Sequence, residues 1–318
     1  MSVRKSGFSW IAAVAAGAML TLVVSPSPSL AQSTGEPGRD SGKPNPLKNV
    51  YFGEQHIHTR NSPDAFAMGT RGTWEDVYRY AMGEETTLST TGQKIKKSTP
   101  YDFVGLTDHS EYFGVMPRLI DPSDPLSKSD FAKRLAGPGA SSDAPDSPIN
   151  IILGSILTST PMPEYVTPDL LSGNWARYVE TANKYNKPGE FTTLIAYEWT
   201  SIPNGRNMHR NVFFRDDGPA APFSSFDSFH PEDLWTYQEI QRNLGHENLA
   251  IPHNGNVSDG WMYAPKKFLG GDMDARYAER QARNEPLTEI IQTKGSSDTH
   301  PAFSRCPSCT DCSPAFLR

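Results

Sequence analysis

The stretch Val50-Tyr-Phe-Gly-Glu-Gln-His-Ile-His58 decides the fold that we expect for this chain of 318 residues. It has the pattern of a β-strand, in which residues i and i+2 point to the same face. His56 and His58 would therefore project to one side, while Tyr51 and Ile57 can serve the core. Because neutral imidazole is the commonest metal ligand among side chains, the stretch predicts a metal site at the end of a strand.

Three further segments end in the same way. Each is a short apolar run that closes on a metal-binding residue type, in Val104-Gly-Leu-Thr-Asp-His109, Leu194-Ile-Ala-Tyr-Glu198 and Leu249-Ala-Ile-Pro-His253. Strand and helix patterns alternate along the chain, which predicts an α/β protein with a parallel sheet. Functional residues of parallel barrels lie at the carboxyl ends of strands. The four segments therefore predict a barrel whose strand ends converge on a metal cluster.

The other elements follow from periodicity and from Pro and Gly positions. Thr73 is the expected N-cap of the first long helix. We predict strands over 101–107, 190–199, 209–214, 248–252 and 287–292, and helices over 74–82, 175–185, 231–244 and 274–283. Residues 121–150 are rich in Pro, Ser, Asp and Gly and predict a long loop or insertion, of the kind that often covers an active site.

The N-terminus carries the signs of export. Arg4 and Lys5 precede an apolar stretch over residues 10–24, and small residues follow at positions 29–31. This is the layout of a secretory signal peptide cleaved before Gln32. An uncleaved membrane anchor is the alternative, but the apolar run is short for a span. We expect a periplasmic or secreted protein with no membrane contact after cleavage.

Composition limits the partners. The net charge is −6 and no basic stripe is present, so a nucleic-acid footprint is not indicated. We expect a small-molecule substrate and no nucleic-acid partner. All three cysteines, Cys306, Cys309 and Cys312, lie in the last 13 residues. Such spacing can hold zinc or an iron–sulfur cluster, but a fourth ligand is normally needed. We assign this tail no function.

The candidate metal ligands combine imidazole and carboxylate. Mixed nitrogen and oxygen ligands suit Zn, Mn or Fe better than Mg or Ca. A carboxylate can bridge two metals, and two metals about 3.5–4 Å apart can bind both the attacking and the leaving oxygen of a phosphoryl transfer. The candidate ligands are His56, His58, Asp64, His109, Glu198, His209 and His253.

Several candidates have structural alternatives. Asp64 is explained equally well as a turn residue. Asp108 fits a supporting role better than metal binding, either orienting His109 or capping a helix. Glu198 is the strongest carboxylate, because it needs a partner if it is buried. His230 and His246 fit a helix start and a turn, and we leave both out of the site.

These motifs resemble the PHP (polymerase and histidinol phosphatase) superfamily. Within it, Tyr51-Phe-Gly-Glu-Gln-His-Ile-His-Thr59, Gly105-Leu-Thr-Asp-His-Ser-Glu-Tyr112 and Ala196-Tyr-Glu-Trp199 resemble the DUF3604 proteins, over residues 48 to 297. The resemblance implies a distorted (β/α)7 barrel that binds two or three Zn, Mn or Fe ions, and many superfamily members hydrolyse phosphate esters. It implies ligand roles for His56, His58, His109, Glu198, His209 and His253, and Asp64 matches a ligand in some members.

The C-terminal region departs from the family pattern. The family barrel closes with an Asp-x-His pair on a late strand, and Asp298-Thr-His300 has that spacing. It follows the predicted strand 287–292 with no helix between, so we interpret it as a coincidence in a loop. We therefore expect a truncated chain and an incomplete barrel.

Together these patterns predict an exported metal-dependent hydrolase that acts on a phosphoester through metal-activated water. No general acid or other catalytic residue is assigned. The alternatives are an inactive, truncated metal-binding protein, and an amidohydrolase-like enzyme that acts on an amide or lactone. The chain divides into a signal peptide (1–31), a disordered leader (32–47), a hydrolase domain (48–303) and an atypical cysteine-containing tail (304–318).

Overall fold

The computed structural model describes residues 48–141 and 143–297. The predicted signal peptide, the leader, the Asp298–His300 pattern and the cysteine tail lie outside these ranges and stay predictions. Within them, no helix is long and apolar enough to cross a membrane.

The described ranges contain nine strands and eight α-helices. The strands are β1 (Gly53–Ile57), β2 (Glu85–Thr87), β3 (Lys94–Lys96), β4 (Phe103–Leu106), β5 (Thr192–Trp199), β6 (Arg210–Phe214), β7 (Asn248–Pro252), β8 (Ile291–Gln292) and β9 (Gly295–Ser296). The helices are α1 (Pro63–Ala67), α2 (Trp74–Ala81), α3 (Met116–Ile120), α4 (Asp130–Ala136), α5 (Pro148–Leu157), α6 (Pro168–Tyr185), α7 (Pro231–Asn243) and α8 (Ala275–Asn284).

The central sheet has the strand order β1-β4-β5-β6-β7. β1, β4 and β5 are parallel, and β6 is antiparallel to both β5 and β7. The mixed α/β architecture is confirmed, but the prediction of a wholly parallel sheet is wrong at β6. Residues 200–209 are too few for the crossover that a parallel neighbour requires. As a result, the carboxyl ends of β1, β4, β5 and β7 meet the amino end of β6 at one edge.

The sheet is open in the part of the chain that the structure describes. β1 and β7 each pair with a single neighbour in it, so these residues do not form the closed (β/α)7 barrel that the family resemblance implies. The predicted strand over 287–292 is wrong for most of its length. Only Ile291–Gln292 forms a strand, in a short hairpin with Gly295–Ser296, because Glu289 N–H donates instead to Pro252 O at 3.0 Å.

The predicted long loop over 121–150 is also wrong. It contains α4 and the start of α5, and each helix begins at a serine cap. Ser129 accepts a hydrogen bond from Ala132 N–H, and Ser147 accepts one from Asn150 N–H. Ser, Asp and Pro are common both in loops and at helix starts, so composition alone does not separate the two.

The main core lies on one face of the sheet, against α2, α6 and α7. Its members include the buried aromatic side chains of Trp175, Tyr178, Tyr197 and Trp199. Alternate residues of β5 point to the opposite face, which we call the inner face. There Ala196 packs with Phe213 and Ile251. Glu198 is the next residue in that row, so the pleat of β5 directs it to the inner face.

A glycine in β4 allows an aromatic ring to pack on the inner face. A Cβ at Gly105 of β4 would lie 2.7 Å from Phe213 Cε1. Only glycine lets this aromatic ring of β6 pack so closely against β4, which lies two strands away in the sheet. The ring and its apolar neighbours form the floor below the polar edge of the sheet.

Candidate metal centre

Glu198 lies at the centre of the polar edge. Its side chain is 1% exposed and it sits near the end of β5. Oε2 lies 2.7 Å from His58 Nε2 and 3.4 Å from His56 Nε2. Oε1 lies 2.5 Å from His209 Nδ1 and 3.1 Å from His253 Nε2. One buried carboxylate therefore contacts histidines from β1 at one edge of the sheet and from β7 at the other.

Asp64 joins a second group on the β1 side. Its Oδ1 lies 3.0 Å from His58 Nδ1, and its Oδ2 lies 3.4 Å from His109 Nε2. Ser62 Oγ donates to Asp64 Oδ1 at 2.7 Å. Asp64 lies in the first turn of α1, and its carboxylate faces the histidines. The turn-residue alternative therefore does not describe its contacts.

Backbone hydrogen bonds continue beyond the ends of the strands and hold these side chains in place. Glu198 N–H donates to Asp108 O at 3.0 Å, and Ser110 N–H donates to Glu198 O at 2.8 Å. His253 N–H donates to His209 O at 3.4 Å. Backbone hydrogen bonds thus fix the main chain of three candidate ligands, Glu198, His209 and His253. The ligands that lie just outside the strands are held in this way as firmly as those within them.

All seven candidate ligands come together in this structure. The ligand atoms of His56, Glu198 and His253 lie within 4.8 Å of one another, as do those of His58, Asp64 and His109, while His209 contacts Glu198. The two histidines that we left out lie apart from these groups. His246 Nδ1 lies 3.1 Å from Asp216 Oδ1, and His230 stacks on Phe229.

Asp108 supports the site without joining it. Its carboxylate accepts hydrogen bonds from Thr59 N–H at 2.5 Å, Thr59 Oγ1 at 2.8 Å and Trp74 Nε1 at 2.8 Å. It therefore anchors the loop after β1 to α2. It does not orient His109, contrary to one of the two roles that we considered. The Nδ1 atom of His109 instead contacts Thr200 Oγ1.

The sequence patterns missed two residues of the site. Glu289, in the loop before β8, places Oε2 2.7 Å from His56 Nδ1. Asn211 lies opposite Glu198 in the β5–β6 pair, and both polar atoms of its buried amide lack a hydrogen-bond partner among the described residues. Neither residue ends an apolar run or belongs to a short motif, so no local signal marks them.

Electrostatics favour an ionised carboxylate at the centre. Burial raises the pKa of Glu198, but the surrounding histidines, His109 first, outweigh burial and hold it well below its ordinary value. Burial lowers the pKa of His56, but its contacts with Glu198 and Glu289 raise it to about 9. Burial prevails at His253 and lowers its pKa to about 4. His56 contacts the carboxylates of Glu198 and Glu289, whereas Glu198 is the carboxylate that contacts His253 among the described residues.

Buried atoms without partners indicate what the site lacks. His58 Nε2, Glu198 Oε2, His209 Nε2 and His253 Nδ1 are buried and make no hydrogen bond within the described residues. His58 Nε2 and Glu198 Oε2 lie 2.7 Å apart without hydrogen-bond alignment. Buried polar atoms normally have a partner, and a divalent cation satisfies ring nitrogens and carboxylate oxygens together. The donor set therefore fits a metal ion.

A protein-family model identifies the family to which this chain is related. The model described as "Protein of unknown function (DUF3604)" matches residues 45–312. The chain belongs to the DUF3604 family. The match covers every candidate ligand of this DUF3604 protein and extends past residue 303 into the segment that we separated as a tail. No curated protein and no solved structure matches the chain. The family description names no activity, so the site is the basis for inferring the function.

Proposed function

We propose that this DUF3604 protein is a metal-dependent hydrolase that acts on phosphoesters. The observation that carries the proposal is the Glu198 carboxylate, whose two oxygens face two different sets of histidines. Oε2 faces His56 and His58, and Oε1 faces His209 and His253. A carboxylate in this position can hold two cations at once. Asp64 and His109 provide ligands for a third.

The residues of the site would have separate roles in this hydrolysis. Bound divalent ions would supply Lewis acidity and lower the pKa of water, which is the chemistry that hydrolysis at neutral pH needs. Glu198 and its histidines would fix the relative positions of the ions. The apolar floor of Phe213 and Ile251 would limit water below the site. Asp108 would hold the loop that carries His58.

A positive charge favours an anionic ester over an amide or lactone. Lys294 lies in the turn of the β8–β9 hairpin, two residues after Gln292, which contacts His56. Its side chain is exposed. Burial lowers the pKa of His209, Glu198 opposes this shift, and the charges of His109 and, to a smaller extent, Lys294 lower the pKa further. An ammonium group there would attract a phosphate ester.

We also propose that DUF3604 shares ancestry and the distorted (β/α)7 barrel with the PHP superfamily. Support comes from the convergence of strand ends on the site and from the parallel order β1-β4-β5. An experimental structure of the full chain tests this proposal. Additional strands that pair with β1 or β7 would support it, and a different order or direction of β1, β4 and β5 would contradict it.

The function is tested by metal content and turnover. We expect the purified protein to contain two or three equivalents of Zn, Mn or Fe by elemental analysis and to hydrolyse an aryl phosphate. The variant Glu198→Gln should lose metal and activity, whereas His246→Ala, which alters a histidine outside the site, should keep both. Metal-free wild-type protein that also fails to bind added metal would contradict the proposal. Turnover of an aryl amide or a lactone alone would favour the amidohydrolase-like alternative, and metal without turnover would favour the inactive one.

Export is a separate proposal. We infer from the sequence pattern that residues 1–31 are removed and that the mature protein is periplasmic or secreted. N-terminal sequencing of protein from the native host should begin at Gln32. A chain that keeps Met1 in a membrane fraction would favour an anchor.

A further inference from the structure

Glu289 contacts the metal centre from a loop that sequence patterns did not associate with it. The residue lies between α8 and β8, 233 positions after His56. Its Oε2 is 2.7 Å from His56 Nδ1, and both side chains are 11% exposed. Gln292 Nε2 donates to Glu289 Oε1 at 2.6 Å. Both carboxylate oxygens therefore have a defined partner.

We propose that Glu289 is a positioning residue of the metal centre, which holds His56 through Nδ1 so that Nε2 faces Glu198. This inference rests on the proposed metal-dependent function. It adds a residue that the ligand pattern does not contain.

The geometry of the imidazole ring carries the argument. An imidazole that donates through Nδ1–H presents an unprotonated Nε2 to a metal, and the carboxylate that accepts this proton fixes both the tautomer and the ring orientation. His56 has this arrangement, because Nδ1 faces Glu289 while Nε2 lies 3.4 Å from Glu198 Oε2. The centroids of the His56 and His253 rings are 4.2 Å apart, and the contact of Nε2 with Glu198 places this nitrogen on the side of the cluster.

The backbone holds Glu289 in this position. Its N–H donates to Pro252 O at 3.0 Å, at the end of β7 and directly before His253. Glu289 therefore links His56 of the first strand to the strand that carries His253. Because Oε1 is engaged by Gln292 and Oε2 by His56, the carboxylate is arranged to orient a ligand.

Zinc binding to metal-free protein tests the proposal. Calorimetric titration with ZnCl₂ would compare wild type, Glu289→Ala, Glu289→Gln and the control Glu279→Ala, which alters an exposed carboxylate of α8. We expect Glu289→Ala to bind the same number of zinc ions, with one site weakened about 10–100-fold. Glu289→Gln should weaken it less, because its amide oxygen still accepts from Nδ1–H. The control should match wild type.

A second measurement reports the ring directly. In the zinc-loaded wild type, ¹H–¹⁵N correlation spectra of histidine side chains should show His56 with a protonated Nδ1 and a zinc-bound Nε2. Glu289→Ala should broaden or lose the Nδ1 proton signal, while a merely structural role would leave it unchanged. If Glu289→Ala does not fold, Glu289→Gln and its spectrum decide the question.

Three results would overturn the proposal. Unchanged zinc affinity and His56 spectra in Glu289→Ala would show that the contact orients nothing. Loss of one zinc equivalent would show that Glu289 is itself a ligand. A wild type that binds no zinc would overturn the proposed function and this inference together. A zinc-binding wild type with an unaltered Glu289→Ala variant would overturn the inference alone.

Discussion

Asp64 contacts two histidines, and the structure places it in a different ligand group from Glu198. Its oxygens lie 3.0 Å from His58 Nδ1 and 3.4 Å from His109 Nε2. If two cations share Glu198 and a third is held by Asp64, the groups should be separable by substitution. A single change at Asp64 then reports on one ion only.

We therefore expect Asp64→Asn to lose one metal equivalent and to keep the ions at Glu198. The affinity of the lost site should fall by more than about 100-fold, because removal of a ligand should exceed the effect of removing a supporting residue. Elemental analysis after dialysis measures this loss. The matched control is Asp216→Asn, since Asp216 also faces a histidine, His246, but at the surface. Full metal content in Asp64→Asn would show that Asp64 only orients His58.

The raised pKa of His56 predicts how metal uptake depends on pH. In metal-free protein its pKa is about 9, since Glu198 and Glu289 outweigh burial. The imidazolium must release a proton from Nε2 before it can bind a cation, so proton and metal compete. Apparent zinc affinity should rise about tenfold per pH unit from pH 7 to 9 and then level off at this site. Calorimetry in buffers of different ionisation enthalpy counts the released proton, and a pH-independent affinity would contradict the assignment.

At the scale of elements, the start of α2 contributes to both stability and the site. Thr73 and Asp76 form a capping box, in which Asp76 N–H donates to Thr73 Oγ1 at 3.1 Å and Thr73 N–H donates to Asp76 at 2.9 Å. The next residue, Trp74, donates to Asp108. The cap therefore fixes the helix end that supports the loop after β1.

Thr73→Ala should lower the free energy of unfolding by about 1 kcal/mol, because it removes the side-chain acceptor of the first helical turn. Thr73→Ser keeps that acceptor and should cost much less. Denaturant unfolding of metal-loaded protein measures the difference. Equal stability of Thr73→Ala and wild type would show that the solvent satisfies this helix end without the cap.

The strands that carry the site were predictable because their signal is local. Asn248–Pro252 is a strand with the predicted bounds, and the predicted strands at β1, β4, β5 and β6 are shortened by a few residues at their ends. Each has a dense apolar run that needs burial on a sheet. In the same way, Thr73 was identified as an N-cap because the capping box lies within four consecutive residues.

Features that depend on distant partners were not predictable. The direction of β6 follows from the length of its connection to β5, not from its own residues. The segment 287–292 has the pattern of a strand, but Glu289 N–H donates to Pro252 O and Ile290 O accepts from Ser297 N–H, so only Ile291–Gln292 pairs as a strand. Glu289 is an ordinary loop glutamate until the fold brings His56 beside it. The metal cluster could thus be predicted from strand ends, whereas its supporting residues required the structure.

At the scale of the whole molecule, the site connects the two edges of the sheet. His56 lies in β1 at one edge of the sheet, and His253 directly follows β7 at the other edge. Glu198 lies between them and contacts both. A second buried ion pair lies close by and joins β6 to the end of α8. In it, Arg210 Nε donates to Glu285 Oε1 at 2.9 Å. Polar contacts therefore hold together strands that are not neighbours in the sheet.

Metal removal should accordingly destabilise the whole fold rather than a single loop. Without a cation, the site keeps an ionised carboxylate and several buried ring nitrogens that lack partners. A ligand that binds only the folded state stabilises it by about 2.7 kcal/mol at a free concentration 100 times its Kd. Chelator-treated protein should therefore melt at a lower temperature than metal-loaded protein, and added zinc should restore the difference in a concentration-dependent way. The variant Glu198→Gln should show a much smaller response to zinc, because the two sets of histidines lose the charge that joins them. If the melting temperature were the same with and without chelator while metal content changed, the ions would not link the edges of the sheet.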